Sequence, residues 1–193
     1  MEWRPPPDRG NLAGQRGVGL QFPWQKSPTI PHSHLLNVSS LWVQRFPVTN
    51  NQYAHYLTLS HYEPADTEHW LEHWHPTTPG RPTMPAAVGD QPVTYVSLAD
   101  GRAFCEHFGL RLPHAWEWQW FAGGSARDGR PYPWGSDAPS NDTCPPVAGG
   151  VGVNLSSAGP SNVSGRPAGC SPDGVCDLIG NTWEMTNAFF DQH

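Results

Sequence analysis

The chain has 193 residues, which is the length of one ordinary domain and enough to bury a sizeable core. A formal net charge of −6, with only 11 Lys and Arg residues, provides no basic stripe for phosphates and argues against nucleic-acid binding. The 20 Gly and 22 Pro predict many loops and turns, so the 10 Trp must supply much of the buried area.

The N-terminal part of the chain predicts a tail, a strand and a helix. Residues 1–17 are rich in Pro, Arg and Gly and are expected to form a flexible tail. The alternation of apolar and polar residues in LWVQRF, residues 41–46, predicts a short strand. Thr49 and Gln52 then form a capping-box pattern, which begins a helix that extends to about Leu57.

A histidine-rich segment, residues 66–75, predicts a further helix. His69 and His73 are four residues apart, so both side chains would face one metal ion, with His75 nearby. The alternative is that the segment contributes only to the core. The residues that would then be buried are Trp70, Leu71 and Trp74.

A helix and a strand are predicted in the middle of the chain. Ser97 and Asp100 repeat the capping-box pattern and begin a helix that Gly109 ends. The next four residues, LRLP at 110–113, predict a short strand that the proline closes.

A third helix and a long loop follow. Trp116 and Trp120 are four residues apart, so they lie on one face and anchor the helix. Residues 123–174 are mostly Gly, Pro, Ser, Asn and Asp, which predicts a meandering loop. Trp134 and turns would hold this loop, together with either a bound cation or a disulfide.

The acidic turn DLIGNTWE, residues 177–184, is the main candidate for a binding site. Asp177 and Glu184 are seven residues apart across a Gly-Asn turn, and Trp183 is expected to be buried. Hard cations such as calcium bind carboxylate oxygens supplemented by backbone carbonyls, which a Gly-containing turn brings to one side. The segment is therefore either an oxygen-ligand metal loop or a plain structural turn.

Five sequence blocks, taken in order, carry a resemblance to a known family. They are FPVTNNQYAHYL at 46–57, PVTYVSLADGRAFCEHFGLRLP at 92–113, EWQWFAGG at 117–124, YPWG at 132–135 and DLIGNTWE at 177–184. With these blocks the chain resembles the formylglycine-generating-enzyme and sulfatase-modifying-factor (FGE-sulfatase) domain family. The resemblance implies an α+β domain of C-type-lectin-like architecture with low regular secondary structure. That domain would occupy residues 18–193 and be incomplete, or truncated, at its C-terminus.

The resemblance also implies a ligand set for the acidic turn. In family members with bound calcium, the matching side-chain ligands are Asp177 and Glu184, and the matching backbone oxygens are those of Gly180 and Thr182. The implied role of calcium is structural. A second calcium site of relatives draws on the loop after YPWG and stays unassigned here.

The resemblance places the redox chemistry of the family outside this chain. In the best-known branch, two cysteines downstream of the acidic turn bind copper(I), as soft thiolates should. The chain ends at His193, so copper is expected only in a full-length relative, and no catalytic residue is assigned. The non-haem iron sulfoxide-synthase branch takes its iron histidines mainly from a preceding helical domain. Residues 1–45 are too short for such a domain, and His32 and His34 are too few to replace it.

Two functions from different classes follow from the resemblance. The full-length protein is expected to be an oxygen-dependent, metal-assisted oxidase of a protein cysteine, by formylglycine generation, or of a related thiol. Its partner would be a protein or peptide substrate, and residues 1–193 alone would be inactive. The alternative is a non-catalytic, lectin-like binding module for a peptide or glycan.

Cysteine and asparagine patterns bear on the compartment of the protein. Cys170 and Cys176 are close enough to bridge in an oxidising compartment; otherwise they, like Cys105 and Cys144, are free or structural thiols. The first ten residues lack the apolar core of a signal peptide, which favours the cytoplasm, and no run reaches the roughly 18 apolar residues of a membrane span. In a secreted chain, four Asn-x-Ser/Thr triplets would be glycan acceptors. They begin at Asn37, Asn141, Asn154 and Asn162.

Overall fold

A computed structural model describes residues 2–3, 34–35, 38–78, 81–124, 130–141, 151–155 and 157–187. Of the predicted flexible tail, residues 1–17, only Glu2–Trp3 lies within these ranges, so that prediction falls outside the described residues. Within the same ranges, no helix combines the length and the apolar character that crossing a bilayer requires.

Helices and short strands occur together in the described residues. The helices are α1 (Asn50–Ser60), α2 (Leu98–His107) and α3 (Ala115–Gly123), with 3-10 turns at Ala86–Val88 and Pro167–Gly169. The strands are β1 (Glu2–Trp3), β2 (His34–Leu35), β3 (His75–Thr78), β4 (Arg81–Thr83), β5 (Pro139–Asn141) and β6 (Val151–Val153). The pairs β1–β2 and β3–β4 are antiparallel, and β5–β6 is parallel. The content is mixed α and β with little regular structure, as the sequence predicts.

The predicted capping box at the start of α1 is present. The Gln52 backbone N–H donates to Thr49 Oγ1 at 3.2 Å, and the Thr49 backbone N–H donates to Gln52 Oε1 at 2.9 Å. Backbone N–H groups at the start of a helix have no partners within the helix, and these two bonds satisfy two of them. The helix continues past the predicted end at Leu57 and stops at Ser60, where His61 adopts a left-handed conformation with φ of 51°.

Carboxylates hold the starts of the other two helices. At α2, the Ser97 backbone N–H donates to Asp100 Oδ2 at 2.6 Å, which confirms the second capping box. At α3, Arg111 donates two bonds of 2.7 Å to Glu117, and the His114 backbone N–H donates a third, also of 2.7 Å. The Arg111 bonds and the His114 N–H lower the pKa of Glu117 to about 2. The first turn of α3 is therefore fixed by a charged, bidentate pair.

An aromatic cluster between α1 and α2 forms the first core. Its buried members are Tyr53, Tyr56, Leu71, Trp74 and Phe104. Tyr53 stacks on Phe104 with ring centroids 5.8 Å apart, and Tyr56 meets the edge of the same ring at 5.3 Å. Such aromatic pairs contribute about 0.5 to 1.5 kcal/mol each beyond the area that they bury. Large rings thereby close a core in a chain with little regular structure.

A second core joins α3 to the residues that surround the start of the acidic turn. Its buried members are Phe121, Ala122, Val175 and Leu178. Leu41 and Val43 pack against this core, whereas Trp42 between them is fully exposed. The predicted strand at 41–46 is wrong, although its alternation of inward and outward side chains is present. Packing on the second core explains that alternation without a strand ladder.

Two other predicted elements are also wrong. Residues 68–73 form turns instead of a helix, because His69 and Leu71 take positive φ values of 63° and 51°. Residues 110–113 do not form a strand. Instead of a strand ladder, they make isolated backbone bonds: the Leu110 N–H donates to the Cys105 carbonyl at 2.8 Å, and the Asn187 N–H donates to the Pro113 carbonyl at 2.7 Å. The apolar spacing in both segments reflects packing rather than a repeating backbone pattern.

Asn50, the first residue of α1, links several parts of the first core. Its side chain is buried, and Nδ2 donates to the carbonyls of Val88 at 2.9 Å and Gln91 at 3.0 Å. Its Oδ1 accepts from Trp74 Nε1 at 2.8 Å and lies 2.9 Å from His73 Nε2. One amide therefore satisfies polar groups from two separate segments, residues 73–74 and residues 88–91.

We predict that Asn50→Ala lowers the free energy of unfolding by about 2 to 4 kcal/mol, because several buried polar groups lose their partner at once. Urea denaturation measures this change. The matched control is Asn51→Ala, since Asn51 is exposed and its amide bonds to Asp90 at 3.1 Å. The control should cost less than about 1 kcal/mol. Equal losses in the two variants would contradict the role assigned to Asn50.

Candidate functional site

The acidic turn, residues 177–184, has an unusual backbone. Asp177, Gly180 and Asn181 have positive φ values of 61°, 80° and 65°. For residues with a Cβ atom this conformation is unfavourable and persists only where surrounding contacts impose it. A Cβ on Gly180 would lie 2.6 Å from the Asn154 carbonyl oxygen, so glycine is required at that position.

Asn181 fixes the acidic turn onto the segment 154–161. Its backbone N–H donates to the Asn154 carbonyl at 2.8 Å. Its Oδ1 accepts from Asn154 Nδ2 at 3.1 Å and from the Ser161 N–H at 2.8 Å, while its Nδ2 donates to the Ser161 carbonyl at 3.1 Å. Sequence reasoning missed Asn154 and Ser161, because neither lies near the turn along the chain.

Asn154 is also the start of one of the four glycan triplets. Its side chain is buried, and its Nδ2 donates to the Gly159 carbonyl as well as to Asn181. The amide nitrogen that would carry a glycan is therefore engaged in the folded chain. Asn162, which starts another triplet, is exposed.

Asp177 places a carboxylate in the interior at the start of the turn. The residue is only 8% exposed, and its Oδ2 is buried with no hydrogen-bond partner among the described residues. Burial raises the pKa of Asp177 to about 6, against the lowering effects of the Arg166 charge and the Asn181 amide. A buried acceptor without a partner is rare in folded proteins and calls for an explanation such as an unseen ion.

Glu184, at the end of the turn, is held by α3. Its Oε2 accepts from Trp118 Nε1 at 2.5 Å. Burial raises the pKa of Glu184 to about 7; the Trp118 bond acts in the opposite direction, and the Asp177 charge adds to the rise. The two carboxylates are thus near enough to feel each other's charge, as the sequence spacing suggested. Trp118 was not predicted, because it lies 66 residues away along the chain.

Trp183 does not lie where the sequence predicts. The expectation that it is buried is wrong, since its side chain is fully exposed. The neighbouring Glu184 points inward to Trp118, and adjacent side chains in an extended segment point to opposite sides. An exposed Trp of this size is a candidate contact for another molecule.

The donor set of the acidic turn fits a hard cation. The buried carboxylate of Asp177 acts through its charge on the half-buried carboxylate of Glu184, and the Gly180 carbonyl accepts one bond, from the Thr182 N–H at 2.8 Å, which leaves it a second lone pair. Calcium takes carboxylate and carbonyl oxygens of this kind. Among the described residues, no group of three or more His, Cys, Asp or Glu side chains could hold a metal ion, so the set relies on backbone oxygens.

The histidine pair forms no metal site in the described residues. His73 Nε2 contacts Asn50 Oδ1 at 2.9 Å, and burial lowers the pKa of His73. His69 is exposed and pairs with Glu72 at 3.0 Å. The side chain of His75 lies outside the described residues. The core alternative is confirmed, since Leu71 and Trp74 are buried.

The cysteines of the long loop form one bridge. Cys170 and Cys176 are joined by a disulfide with Cα atoms 4.0 Å apart. The bridge that the sequence allows between these two cysteines is therefore present. Cys105 is a free, half-buried thiol whose pKa is raised by burial and by the nearby Glu106. Cys144 lies outside the described residues.

A comparison with domain families matches nearly the whole chain. The model of the sulfatase-modifying factor enzyme 1-like domain matches residues 12–193. The chain is similar to hercynine oxygenase from Mycolicibacterium smegmatis, 28% identical over 186 residues that cover 83% of this chain and 41% of the relative. It is similar to formylglycine-generating enzyme from Mycobacterium tuberculosis, 25% identical over 205 residues that cover 83% of this chain and 67% of the relative.

A further similarity is to a relative named as inactive. The chain is 36% identical to inactive C-alpha-formylglycine-generating enzyme 2 from Bos taurus over 99 residues, which cover 49% of this chain and 32% of the relative. The chain spans about two fifths of the length of the hercynine oxygenases that it matches: 41% for the protein from Mycolicibacterium smegmatis and 39% for the protein from Mycobacterium tuberculosis.

We predict that Glu184→Gln stabilises the chain at pH 7.5 in the presence of a chelator. The pKa of Glu184 rises from 4.5 to about 7 on folding, so between these values the folded state binds more protons and loses stability as the pH rises. A neutral Gln removes a cost of about 1 to 3 kcal/mol at pH 7.5 but not at pH 4.5.

Urea unfolding at both pH values measures this difference. The control is Glu63→Gln, which replaces an exposed carboxylate and should leave stability unchanged at either pH. A Glu184→Gln variant that is no more stable than the parent at pH 7.5 would show that the carboxylate is not buried as described.

Proposed function

Because the chain belongs to the family of sulfatase-modifying factor enzyme 1-like domains, we propose that it is a domain of an oxygen-dependent, metal-assisted oxidoreductase. That family is the one that the five sequence blocks predict. The proposal draws support from relatives named hercynine oxygenase and formylglycine-generating enzyme. Oxidation of a cysteine or a related thiol is the reaction class we propose for the whole protein.

The acidic turn contributes a calcium site in this proposal. The observation that carries it is the buried Asp177 Oδ2, which has no hydrogen-bond partner among the described residues, together with the effect of the Asp177 charge on the half-buried carboxylate of Glu184. Side-chain oxygens of these two residues and backbone oxygens of Gly180 and Thr182 would hold the ion. Bound calcium would supply positive charge that offsets the burial of two carboxylates.

Calcium at this position would have a structural role. Glu184 is bonded to Trp118 of α3, and the turn is bonded through Asn181 to Asn154 and Ser161. An ion between the two carboxylates would therefore connect α3 with the segment 154–161. These contacts position side chains and exclude water; no electron transfer is assigned to them.

The redox metal and the substrate are also proposals. Copper, expected from the resemblance in a full-length relative, remains a prediction, as does the inactivity of residues 1–193 alone. A protein or peptide substrate is favoured by the similarity to formylglycine-generating enzyme, and a small substrate by the similarity to hercynine oxygenase. In both cases the proposed reaction uses oxygen.

A binding module is the second candidate function. One specific observation favours it: the chain is 36% identical to a relative named as an inactive enzyme. The fully exposed side chains of Trp42 and Trp183 are available to contact a peptide or glycan in that case. The lectin-like architecture expected from the resemblance belongs to this proposal as well.

We predict that calcium raises the melting temperature of the chain. At a free calcium concentration 100 times the Kd, the stabilisation would be about 2.7 kcal/mol. Asp177→Asn and Glu184→Gln should each abolish most of the effect, because each removes one of the two carboxylates. Scanning calorimetry in calcium and in chelator measures the difference.

Glu63→Gln again serves as the control and should keep the full calcium response, since the side chain is exposed and lies outside the turn. Because Glu184→Gln is expected to be stable without calcium, a missing response in that variant cannot be attributed to unfolding. Identical melting temperatures of the parent chain in calcium and in chelator would refute the calcium site.

We predict that the protein encoded by the full gene consumes oxygen in the presence of a thiol substrate. An oxygen electrode would record uptake after loading with copper(I) or iron(II). A cysteine-containing peptide and hercynine with a thiol would be compared as substrates, and residues 1–193 alone would be measured in the same way. Oxygen uptake in neither case, together with saturable binding of a peptide or glycan, would replace the oxidase with the binding module.

A further inference from the structure

The disulfide between Cys170 and Cys176 lies directly beside the acidic turn. Cys170 follows the 3-10 turn Pro167–Gly169, and Cys176 is the residue before Asp177. The bridge therefore joins the end of the 3-10 turn to the residue immediately before the proposed calcium site. Nothing in the calcium proposal itself requires this bridge.

Cys176 is held firmly on its own side of the bridge. It is 2% exposed, and its backbone N–H donates to the Arg45 carbonyl at 2.8 Å. Within the bridged loop, the Ser171 N–H donates to the Val175 carbonyl at 2.7 Å, and Gly174 turns the chain with φ of 84°. These bonds keep the loop compact, and the disulfide closes it.

The next residue, Asp177, is the one that needs such support. Its φ of 61° is unfavourable for a residue with a Cβ and persists only where the neighbouring chain imposes it. If the peptide before Asp177 became free to turn, the backbone could relax to negative φ. The carboxylate would then leave the buried position in which it lies near Glu184.

The segment that precedes Cys170 contacts the acidic turn as well. Ser161, whose N–H donates to Asn181 Oδ1 at 2.8 Å, also accepts a hydrogen bond from Arg166. The Arg166 charge is close enough to Asp177 to act on its carboxylate. Through Cys170 the disulfide ties this segment, too, to the start of the acidic turn.

We propose that the Cys170–Cys176 disulfide sets the calcium affinity of the acidic turn, so that the oxidised chain binds calcium more tightly than the reduced chain. The inference rests on the calcium site proposed above. The physical reason is preorganisation: the oxidised loop has already restricted the ligand backbone before the ion arrives. In the reduced chain the backbone of the ligand residues becomes ordered only when the ion binds, and the entropy lost in that step lowers the affinity.

Reduction is a two-electron exchange with a dithiol. A thiolate of the dithiol attacks Cys170 sulfur, which is the more exposed of the two, and the S–S bond breaks with Cys176 as the leaving thiolate. The second thiol of the reductant then displaces Cys170 from the mixed disulfide. Both cysteines end as thiols after taking up protons, and the dithiol ends as a cyclic disulfide.

Calorimetric titration with calcium tests the proposal on three samples. They are the oxidised chain, the chain reduced with dithiothreitol and freed of reductant under argon, and the double variant Cys170→Ser/Cys176→Ser. We expect the Kd for calcium to rise about tenfold on reduction. The double variant should show the weaker affinity before and after dithiothreitol treatment. Alkylation and mass spectrometry establish the state of each cysteine.

Cys105→Ser is the matched control, since it removes a free thiol and leaves the bridge in place. It should keep the tenfold difference between the oxidised and reduced states. Circular dichroism verifies that the reduced chain is folded. If the double variant does not fold, the comparison of the oxidised and reduced parent chains, with Cys105→Ser as the control, decides the question.

The outcomes separate the two proposals. Equal calcium affinity in the oxidised and reduced chains would overturn the disulfide proposal and leave the calcium site intact. Absence of calcium binding to the oxidised chain would overturn both. A redox difference that persists in the double variant would show that another thiol is responsible, which also overturns the role of this bridge.

Discussion

The inward placement of two carboxylates, the buried one of Asp177 and the half-buried one of Glu184, is the constraint on which the geometry of the acidic turn depends. Asp177 is turned inward by a left-handed backbone, and Glu184 is held by Trp118 of α3. Removing charge from water is costly, so burial raises the pKa of each carboxylate, even though the Arg166 charge acts on Asp177 in the opposite direction. The hydrogen bonds of Asn181 and the disulfide before the turn maintain a geometry that the two carboxylates alone would not favour. In the calcium site proposed above, a cation between them would offset this cost.

The described residues divide into a scaffold and a ligand loop. The two cores form the scaffold, and the acidic turn is the ligand loop of the proposed calcium site, whose oxygen atoms would suit calcium better than a redox metal. The same family includes relatives named as oxygenases and relatives named as inactive. A shared scaffold with different chemistry attached is consistent with that range, because function depends on sites rather than on fold.

Local features of the fold could be predicted from the sequence, whereas distant contacts could not. The capping box of Thr49 and Gln52 involves residues three apart, so its pattern is visible in the sequence. The two carboxylates of the acidic turn were found for the same reason. The Trp118 bond to Glu184 joins residues 66 apart, and no periodicity signals it. The helix predicted around His69 is absent, because turns with positive φ bury the apolar residues of this segment without a helical backbone.

The most direct test of the calcium site is a crystal structure of the protein grown in calcium, with anomalous diffraction data collected at long wavelength. We expect one anomalous peak between the carboxylates of Asp177 and Glu184, with ligand oxygens at about 2.3 to 2.6 Å, including the backbone oxygens of Gly180 and Thr182. No peak at this position, with Asp177 Oδ2 bonded instead to a protein group or to water, would contradict the account.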